Sequence, residues 1–204
     1  MVDLLSGIEG IRGCLDLFGR LSLNLVPQYG GRLLHEVVAK PNTEGFLSQT
    51  SAALGYHSDG HDYHVPPKYI ALYCESAAES DCETFFSEFK PALSLLAPGI
   101  ALRIASETFQ FHSGAALYWK TPHAGVLAPI YNEQTGVVRY SYEYLKPFSS
   151  AEELLNELEP AFAAAQTTVR LKRGDLLLLN NWEYVHGRHA NSNPGRKLLR
   201  FWLA

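Results

Sequence analysis

The sequence predicts a mostly β fold with flanking helices, arranged as a β-sandwich or jelly roll. About eight short apolar runs have the length and composition of strands. The turns between them carry Gly or Pro, and the alternating strand and helix pattern of a parallel sheet is absent. Because 204 residues fit one domain, we expect a single domain over 1–204, with a short helical portion at 1–35 and the β core at 36–204.

The helices and strands are predicted from periodicity and from their end signals. Apolar positions at helical spacing predict a helix over 4–21, and Ser150-Ala-Glu-Glu153 has the pattern of a capping box that begins a helix through Phe162. A short helix is expected after Ser87. Strands are predicted at 33–38, 69–74, 100–104, 126–131, 137–142, 167–171, 176–180 and 197–203.

Composition excludes several classes of protein. Apolar residues make up 47% of the chain and charged residues 19%, which is typical of a globular protein rather than a disordered one. The net charge is −4 and no basic cluster is present, so we expect no nucleic-acid partner. Three cysteines without CxxC spacing indicate free thiols and a cytoplasmic location. No signal peptide and no apolar stretch of membrane-spanning length are found, so we expect no membrane partner.

Two histidines and an aspartate form the pattern with the clearest chemistry. In Gly55-Tyr-His57-Ser-Asp59-Gly60 a His and a carboxylate stand two residues apart. On an extended segment both side chains would project from the same face, so one strand could present two metal ligands. Later an apolar run leads through Asn181 to His186, which at the end of that strand could supply a third ligand. Two His and one carboxylate form the facial triad of non-haem iron(II) oxygenases.

Four separated features resemble the taurine dioxygenase and clavaminate synthase family of iron(II)/2-oxoglutarate oxygenases, over about 37–203. They are the pair His57-x-Asp59, Thr84 in Asp81-Cys-Glu-Thr84, the run from Gly174 to Asn181 that leads into His186-Gly187-Arg188, and Arg196-Lys-Leu-Leu-Arg200. Two features depart from the family pattern: the portion before the matched region is short, and Asn180 stands where an aspartate is common. Asn181 is expected to support a turn.

The resemblance implies a fold, a reaction and a set of ligands. The fold would be a double-stranded β-helix (jelly roll, cupin-like), with iron(II) held by His57, Asp59 and His186. The cosubstrates would be 2-oxoglutarate and dioxygen. The reaction would oxidise, most simply hydroxylate, a C–H bond of a small molecule such as an amino acid or a secondary-metabolite intermediate, with succinate and carbon dioxide as co-products.

The two closing arginines also have a direct physical interpretation. Residues four apart on a strand face the same way, so Arg196 and Arg200 would point to one side with Leu198 between them. A buried guanidinium needs an anionic partner, and a carboxylate fits its fork. The resemblance assigns Arg196, with Thr84, to the distal carboxylate of 2-oxoglutarate and Arg200 to the substrate. The reverse assignment stays open.

Several alternatives stay open at this stage. Arg188 could guide an anionic substrate or be a surface charge. His61 could line the substrate pocket or, as His57-x-Asp59-x-His61, complete a zinc hydrolase site. A cupin-like isomerase or hydrolase that uses no dioxygen, and a sensor without activity, would also fit the fold. Neither needs the 2-oxoglutarate anchor of Thr84 and Arg196. The sequence predicts neither the substrate's identity nor the oligomeric state.

Overall fold

Two facing antiparallel sheets dominate the structure, a computed structural model that describes residues 2–39, 47–77, 83–111, 125–145, 151–190 and 195–204. The strands are β1 (Val2–Leu5), β2 (Leu25–Val26), β3 (His35–Val38), β4 (Leu54–His57), β5 (Tyr69–Ser76), β6 (Thr84–Glu88), β7 (Thr108–Phe111), β8 (Val126–Pro129), β9 (Tyr131–Asn132), β10 (Val137–Val138), β11 (Gln166–Val169), β12 (Leu176–Asn180), β13 (Tyr184–Arg188) and β14 (Lys197–Leu203). The α-helices are α1 (Gly10–Arg20), α2 (Phe89–Leu93), α3 (Pro98–Ser106), α4 (Tyr142–Leu145) and α5 (Glu152–Ala164), and short 3₁₀ turns lie at Tyr29–Gly31 and Leu47–Gln49.

The two sheets have the arrangement of a jelly roll, or double-stranded β-helix. The larger sheet has six strands in the order β1-β12-β5-β14-β2, with β3 also paired to β14. The smaller sheet has the order β11-β6-β13-β4. Two further two-stranded ribbons are formed by β9 with β10 and by β7 with β8. The predicted fold class is confirmed.

Period-two alternation along the central strands separates two cores. On β5, β12 and β14 one set of apolar residues packs against Phe18 and Cys14 of α1 on the outer face of the large sheet. The alternate set, which includes Leu72, Leu177 and Trp202, packs between the two sheets. Burying each such side chain contributes about 1.5–3 kcal/mol. A third core lies on the other side of the small sheet, under α3 and α5.

Several predicted elements have different bounds in the structure. The strand predicted at 100–104 is wrong: these residues lie in α3, where Pro98 occupies the first turn. The strand predicted at 137–142 is only Val137–Val138, and α4 begins at Tyr142. The N-terminal portion contains α1 but also supplies β1 and β2 to the large sheet.

The helix predicted from the capping box is present as α5, but its N-cap is Ala151, without a side-chain hydrogen bond. Ser150 lies outside the described residues, as does Cys82. Among the described residues, no helix has the length and apolarity that a membrane crossing would need.

Candidate metal centre

His57 and His186 face each other across two paired strands of the small sheet. His57 is the last residue of β4, and His186 lies directly opposite it on β13. Their ring centroids are 4.2 Å apart. The register of the pair shifts between His186 and Arg188, and such an irregularity is common beside functional sites because it re-aims side chains. The small sheet therefore supplies both nitrogen ligands of the predicted triad from adjacent strands.

The strand positions of His186 and Asp59 differ from those predicted from the sequence. His186 was expected at the end of the apolar run that starts at Leu176, but that run is β12 of the large sheet, and His186 lies on the separate strand β13 of the small sheet. Asp59 was expected on the same strand as His57, but β4 ends at His57 and Asp59 lies in the turn that follows. The chain crosses from one sheet to the other between β12 and β13.

Asp59 completes a group of three potential metal ligands. One ligand atom each from His57, Asp59 and His186 lies within 4.8 Å of the others. Asp59 Oδ1 is 3.9 Å from His57 Nε2. His57 Nδ1 is 2.9 Å from the carbonyl oxygen of Gly55. When Nδ1 donates this hydrogen bond, the Nε2 lone pair is left for a metal.

The electrostatics keep all three groups in the form that binds metal ions. Burial lowers the pKa of His186 to about 3, and burial also lowers the pKa of His57, so both imidazoles are neutral near pH 7. Burial alone would raise the pKa of Asp59, but Arg200, the two neighbouring histidines and the hydrogen bond from Trp202 together lower this pKa below its usual value. Two neutral imidazoles and one carboxylate are a donor set that suits iron(II).

A buried amide fixes the turn that carries Asp59. Asn181 is 1% exposed, and its Oδ1 accepts a hydrogen bond from the Asp59 backbone N–H at 2.8 Å. Its Nδ2 donates to the carbonyl oxygens of Asp59 and Pro67, both at 2.9 Å. The expected role of Asn181 in a turn is confirmed, and the turn is the one that presents the carboxylate.

A buried arginine closes the next part of the same loop. The guanidinium of Arg139 donates to the carbonyl oxygens of His61, Tyr63 and His64 at 2.8, 2.6 and 2.7 Å. Its charge faces Asp62, which opposes the lowering of its pKa by burial. Arg139 could not be predicted from the sequence, because it is far from the loop in sequence and no local motif links the two.

A cavity opens beside the triad between the two sheets. Its lining includes His57, Thr84, His186, Arg188, Arg196 and Arg200. The expectation that Arg196, Leu198 and Arg200 point to one side is confirmed, since all three line this cavity. Arg196 Nη2 donates to Thr84 Oγ1 at 2.9 Å, and both side chains are buried. A guanidinium and a hydroxyl therefore share one end of the cavity.

Arg200 lies nearer to the triad and contacts the ligand carboxylate itself. Its Nη1 donates to Asp59 Oδ1 at 2.6 Å. Its Nε donates to Gln28 Oε1 at 3.0 Å, and Gln28 Nε2 donates back to the Arg200 carbonyl at 2.9 Å. Sequence reasoning missed Gln28, because a lone glutamine in an N-terminal connection carries no pattern.

Gly187 allows the strands around the cavity to approach closely. A Cβ at this position would come within 2.4 Å of the Phe85 ring and 2.5 Å of the Leu54 carbonyl oxygen. Any other residue would therefore push β13 away from its neighbours β4 and β6. The glycine between His186 and Arg188 is thus a packing requirement of the site.

Arg188 and His61 complete the set of predicted site residues. Arg188 is 5% exposed and donates to the Thr50 carbonyl oxygen, so its interpretation as a surface charge is wrong. His61 is buried and its ring lies 4.9 Å from that of Tyr144. Among the described residues the potential ligand group contains His57, Asp59 and His186 but not His61.

Comparison with known proteins assigns the chain to a family. Residues 15–202 match the family described as taurine catabolism dioxygenase TauD, TfdA family. This chain belongs to the TauD/TfdA dioxygenase family. The predicted resemblance is confirmed. The matched residues include His57, Asp59 and His186.

Related proteins agree with this membership and differ in length. Clavaminate synthase 2 of Streptomyces clavuligerus is 26% identical over 165 residues, which is 78% of this chain and 51% of that protein. This TauD/TfdA member therefore spans about half the length of clavaminate synthase 2. Among solved structures, asparagine oxygenase in complex with Fe(II), 3-hydroxyasparagine and succinate has a TM-score of 0.75 at 24% identity, covering 87% of this chain and 58% of that one. The non-haem iron oxygenase OrfP, with (3S)-hydroxy-L-Arg, has a TM-score of 0.73 at 18% identity, covering 94% and 64%.

Proposed function

We propose that this chain is an iron(II)/2-oxoglutarate-dependent dioxygenase that hydroxylates a C–H bond of a small molecule. The observation that carries the proposal is a single cavity lined both by His57 and His186, which form a potential ligand group with Asp59, and by Arg196 and Thr84, which contact each other. Membership of the TauD/TfdA family supports it. A cupin-like isomerase, a hydrolase or a sensor would have no use for the second feature.

The protein side chains hold and orient the reactants in this proposal. His57, Asp59 and His186 would hold iron(II), while Arg196 and Thr84 bind the distal carboxylate of 2-oxoglutarate through charge-assisted hydrogen bonds. When bound, iron(II) with 2-oxoglutarate and dioxygen supplies the oxidising power for C–H cleavage, with succinate and carbon dioxide as co-products. The contact between Arg196 and Thr84 is buried, which strengthens the polar interactions made there.

The substrate is proposed to be a free amino acid or a related small metabolite. The structural neighbours are bound to 3-hydroxyasparagine and to hydroxylated L-arginine. Arg200 would bind a carboxylate of the substrate, with Arg188 and His61 near the substrate pocket. No partner other than the small molecule is proposed, and the expectations of no nucleic-acid partner, no membrane partner and a cytoplasmic location stay predictions.

The test is a turnover assay with paired products. The protein is incubated with iron(II), 2-oxoglutarate, air and a panel of free L-amino acids, and succinate is quantified beside any product that has gained one oxygen atom. We expect one amino acid to raise succinate formation and to be hydroxylated in step with it. An Asp59→Asn variant is the control and should form neither product. Succinate formation that is equal in the two proteins would contradict the proposed site.

A further inference from the structure

The two oxygens of the Asp59 carboxylate are held by two different donors. Arg200 Nη1 donates to Oδ1 at 2.6 Å, and Trp202 Nε1 donates to Oδ2 at 3.1 Å. Arg200 and Trp202 lie two residues apart on β14, so both project from the same face of the large sheet. Oδ1 is also the oxygen that lies 3.9 Å from His57 Nε2.

We propose that Trp202 is a positioning residue that makes Asp59 a monodentate metal ligand. Its indole N–H occupies Oδ2. Oδ1 is the oxygen nearer to His57 Nε2, and it binds a metal ion when Arg200 turns from it to the carboxylate of the substrate. An indole N–H is a donor without acceptor capacity and does not titrate, so it holds Oδ2 at every working pH. This role rests on the proposed function, because it presupposes that the triad binds iron(II).

The indole has little freedom to turn away from the carboxylate. Trp202 is fully buried, and the rings of Tyr29 and Tyr63 pack edge-on against it, each with centroids at 5.3 Å. Tyr29 is itself fixed, since its hydroxyl donates to Asp62 Oδ1 at 2.7 Å. Rotation of the indole would therefore require movement of two other aromatic rings.

The turn that carries Asp59 also packs directly onto the indole. Gly60 has a φ of +63°, and a Cβ there would lie 3.3 Å from Trp202 Cη2 and 2.8 Å from Pro67 Cδ. Glycine adopts this backbone conformation without strain. The close packing of Gly60 against the indole fixes the position of the neighbouring Asp59 carboxylate relative to the ring. Packing of the turn therefore helps to maintain the hydrogen bond between Trp202 Nε1 and Asp59 Oδ2.

The consequence for the reaction concerns the number of open positions on the metal. A facial triad leaves three positions for other ligands. A carboxylate that bound through both oxygens would occupy one of them and compete with the cosubstrates. By holding Oδ2, Trp202 keeps that position available. The indole thereby acts through Asp59 and does not touch the reacting atoms.

The test compares two indole-to-phenyl substitutions in the metal-loaded protein. Trp202→Phe removes the donor to Asp59, whereas Trp182→Phe removes an indole that donates to the Pro66 carbonyl oxygen at 3.1 Å and not to the ligand. Mn(II) is the probe: its affinity is measured from the electron paramagnetic resonance signal of free Mn(II). The binding mode is measured from the infrared difference spectrum of loaded minus free protein, with Asp59→Asn identifying the Asp59 bands.

The expected results differ for the two variants. Trp202→Phe should bind Mn(II) roughly 10- to 100-fold more weakly, as when other partners of metal ligands are removed. The splitting between its antisymmetric and symmetric carboxylate stretches should also narrow, because Asp59 becomes bidentate. Trp182→Phe should match the wild type in both measurements. A purely structural role of the Trp202 ring would not change the splitting.

Three outcomes would overturn the proposal in distinguishable ways. An unchanged splitting in Trp202→Phe, whatever its Mn(II) affinity, would refute the role of Trp202 while the proposed function survives. If Trp202→Phe does not fold, benzothienylalanine is incorporated at position 202 instead, because this residue keeps the ring size and removes only the N–H. An unchanged carboxylate splitting in that protein would refute the role of Trp202. A wild type that binds no Mn(II) through Asp59 would refute the proposed function, and this role with it.

Discussion

Removal of the Asn181 amide should loosen the turn that carries the metal-binding carboxylate. The side chain makes three hydrogen bonds of 2.8, 2.9 and 2.9 Å, to the N–H of Asp59 and to the carbonyl oxygens of Asp59 and Pro67. Asn181→Ala leaves three buried backbone groups without this partner. Each such group costs about 1–3 kcal/mol, so the free energy of unfolding should fall by about 3 kcal/mol or more. That is a large part of the roughly 5–15 kcal/mol typical of a domain.

Asn132→Ala is a matched control for this substitution. Asn132 Oδ1 accepts two backbone hydrogen bonds, from Gln134 and Thr135 at 3.0 Å each, but in an exposed turn where water can replace it. Its loss should therefore cost less than about 1 kcal/mol. Urea unfolding of the metal-free proteins measures both changes. If Asn181→Ala loses no more stability than Asn132→Ala, the amide does not fix the turn and our account of how Asp59 is presented is wrong.

Three further predictions concern the ligands, the anchor and a buried carboxyl. His57→Ala and His186→Ala should each abolish succinate formation while circular dichroism stays unchanged, because each removes one nitrogen ligand; turnover by either variant would remove that residue from the triad. Arg196→Ala should weaken anaerobic 2-oxoglutarate binding by roughly 2–5 kcal/mol in calorimetry, since the cosubstrate loses a charge-assisted partner. Arg200→Ala should leave 2-oxoglutarate binding nearly unchanged. The opposite pattern would reverse the assignments of the two arginines. Burial raises the pKa of Glu159, so the folded state loses stability as the pH rises above the ordinary value of 4.5 and through the raised pKa. Glu159→Gln should remove this loss, so the melting temperature of the variant should exceed that of the wild type at pH 8 but not at pH 4. An equal difference in melting temperature at both pH values would contradict the raised pKa.

Period-two alternation made the closing strand the most predictable part of the site. The spacing of Arg196 and Arg200 placed both on one face, and the structure has both in the same cavity. Extension of the same alternation by one step reaches Trp202, which contacts Asp59. The signal was therefore present in the sequence, although a buried tryptophan near the end of an apolar strand reads first as core.

Other parts could not be predicted because their cause is not local. The strands β4, β6 and β13 have only four or five residues each, and polar residues or glycine interrupt their apolar residues. They therefore lack a long apolar run, and their pairing defines them. The run 100–104 is apolar without a distinctive period, and such short runs do not separate helix from strand. Arg139 reaches its loop across more than seventy residues of sequence, as the separations of its hydrogen bonds show.

The central claim is that one cavity holds iron(II) and 2-oxoglutarate together, and the visible spectrum tests it most directly. Iron(II) and then 2-oxoglutarate are added to the protein without oxygen, with Asp59→Asn as the control. We expect a weak metal-to-ligand charge-transfer band in the wild type, because the cosubstrate chelates the metal that His57, Asp59 and His186 hold, and no band in the variant. A metal-loaded wild type that shows no band and binds no 2-oxoglutarate by calorimetry would contradict the account.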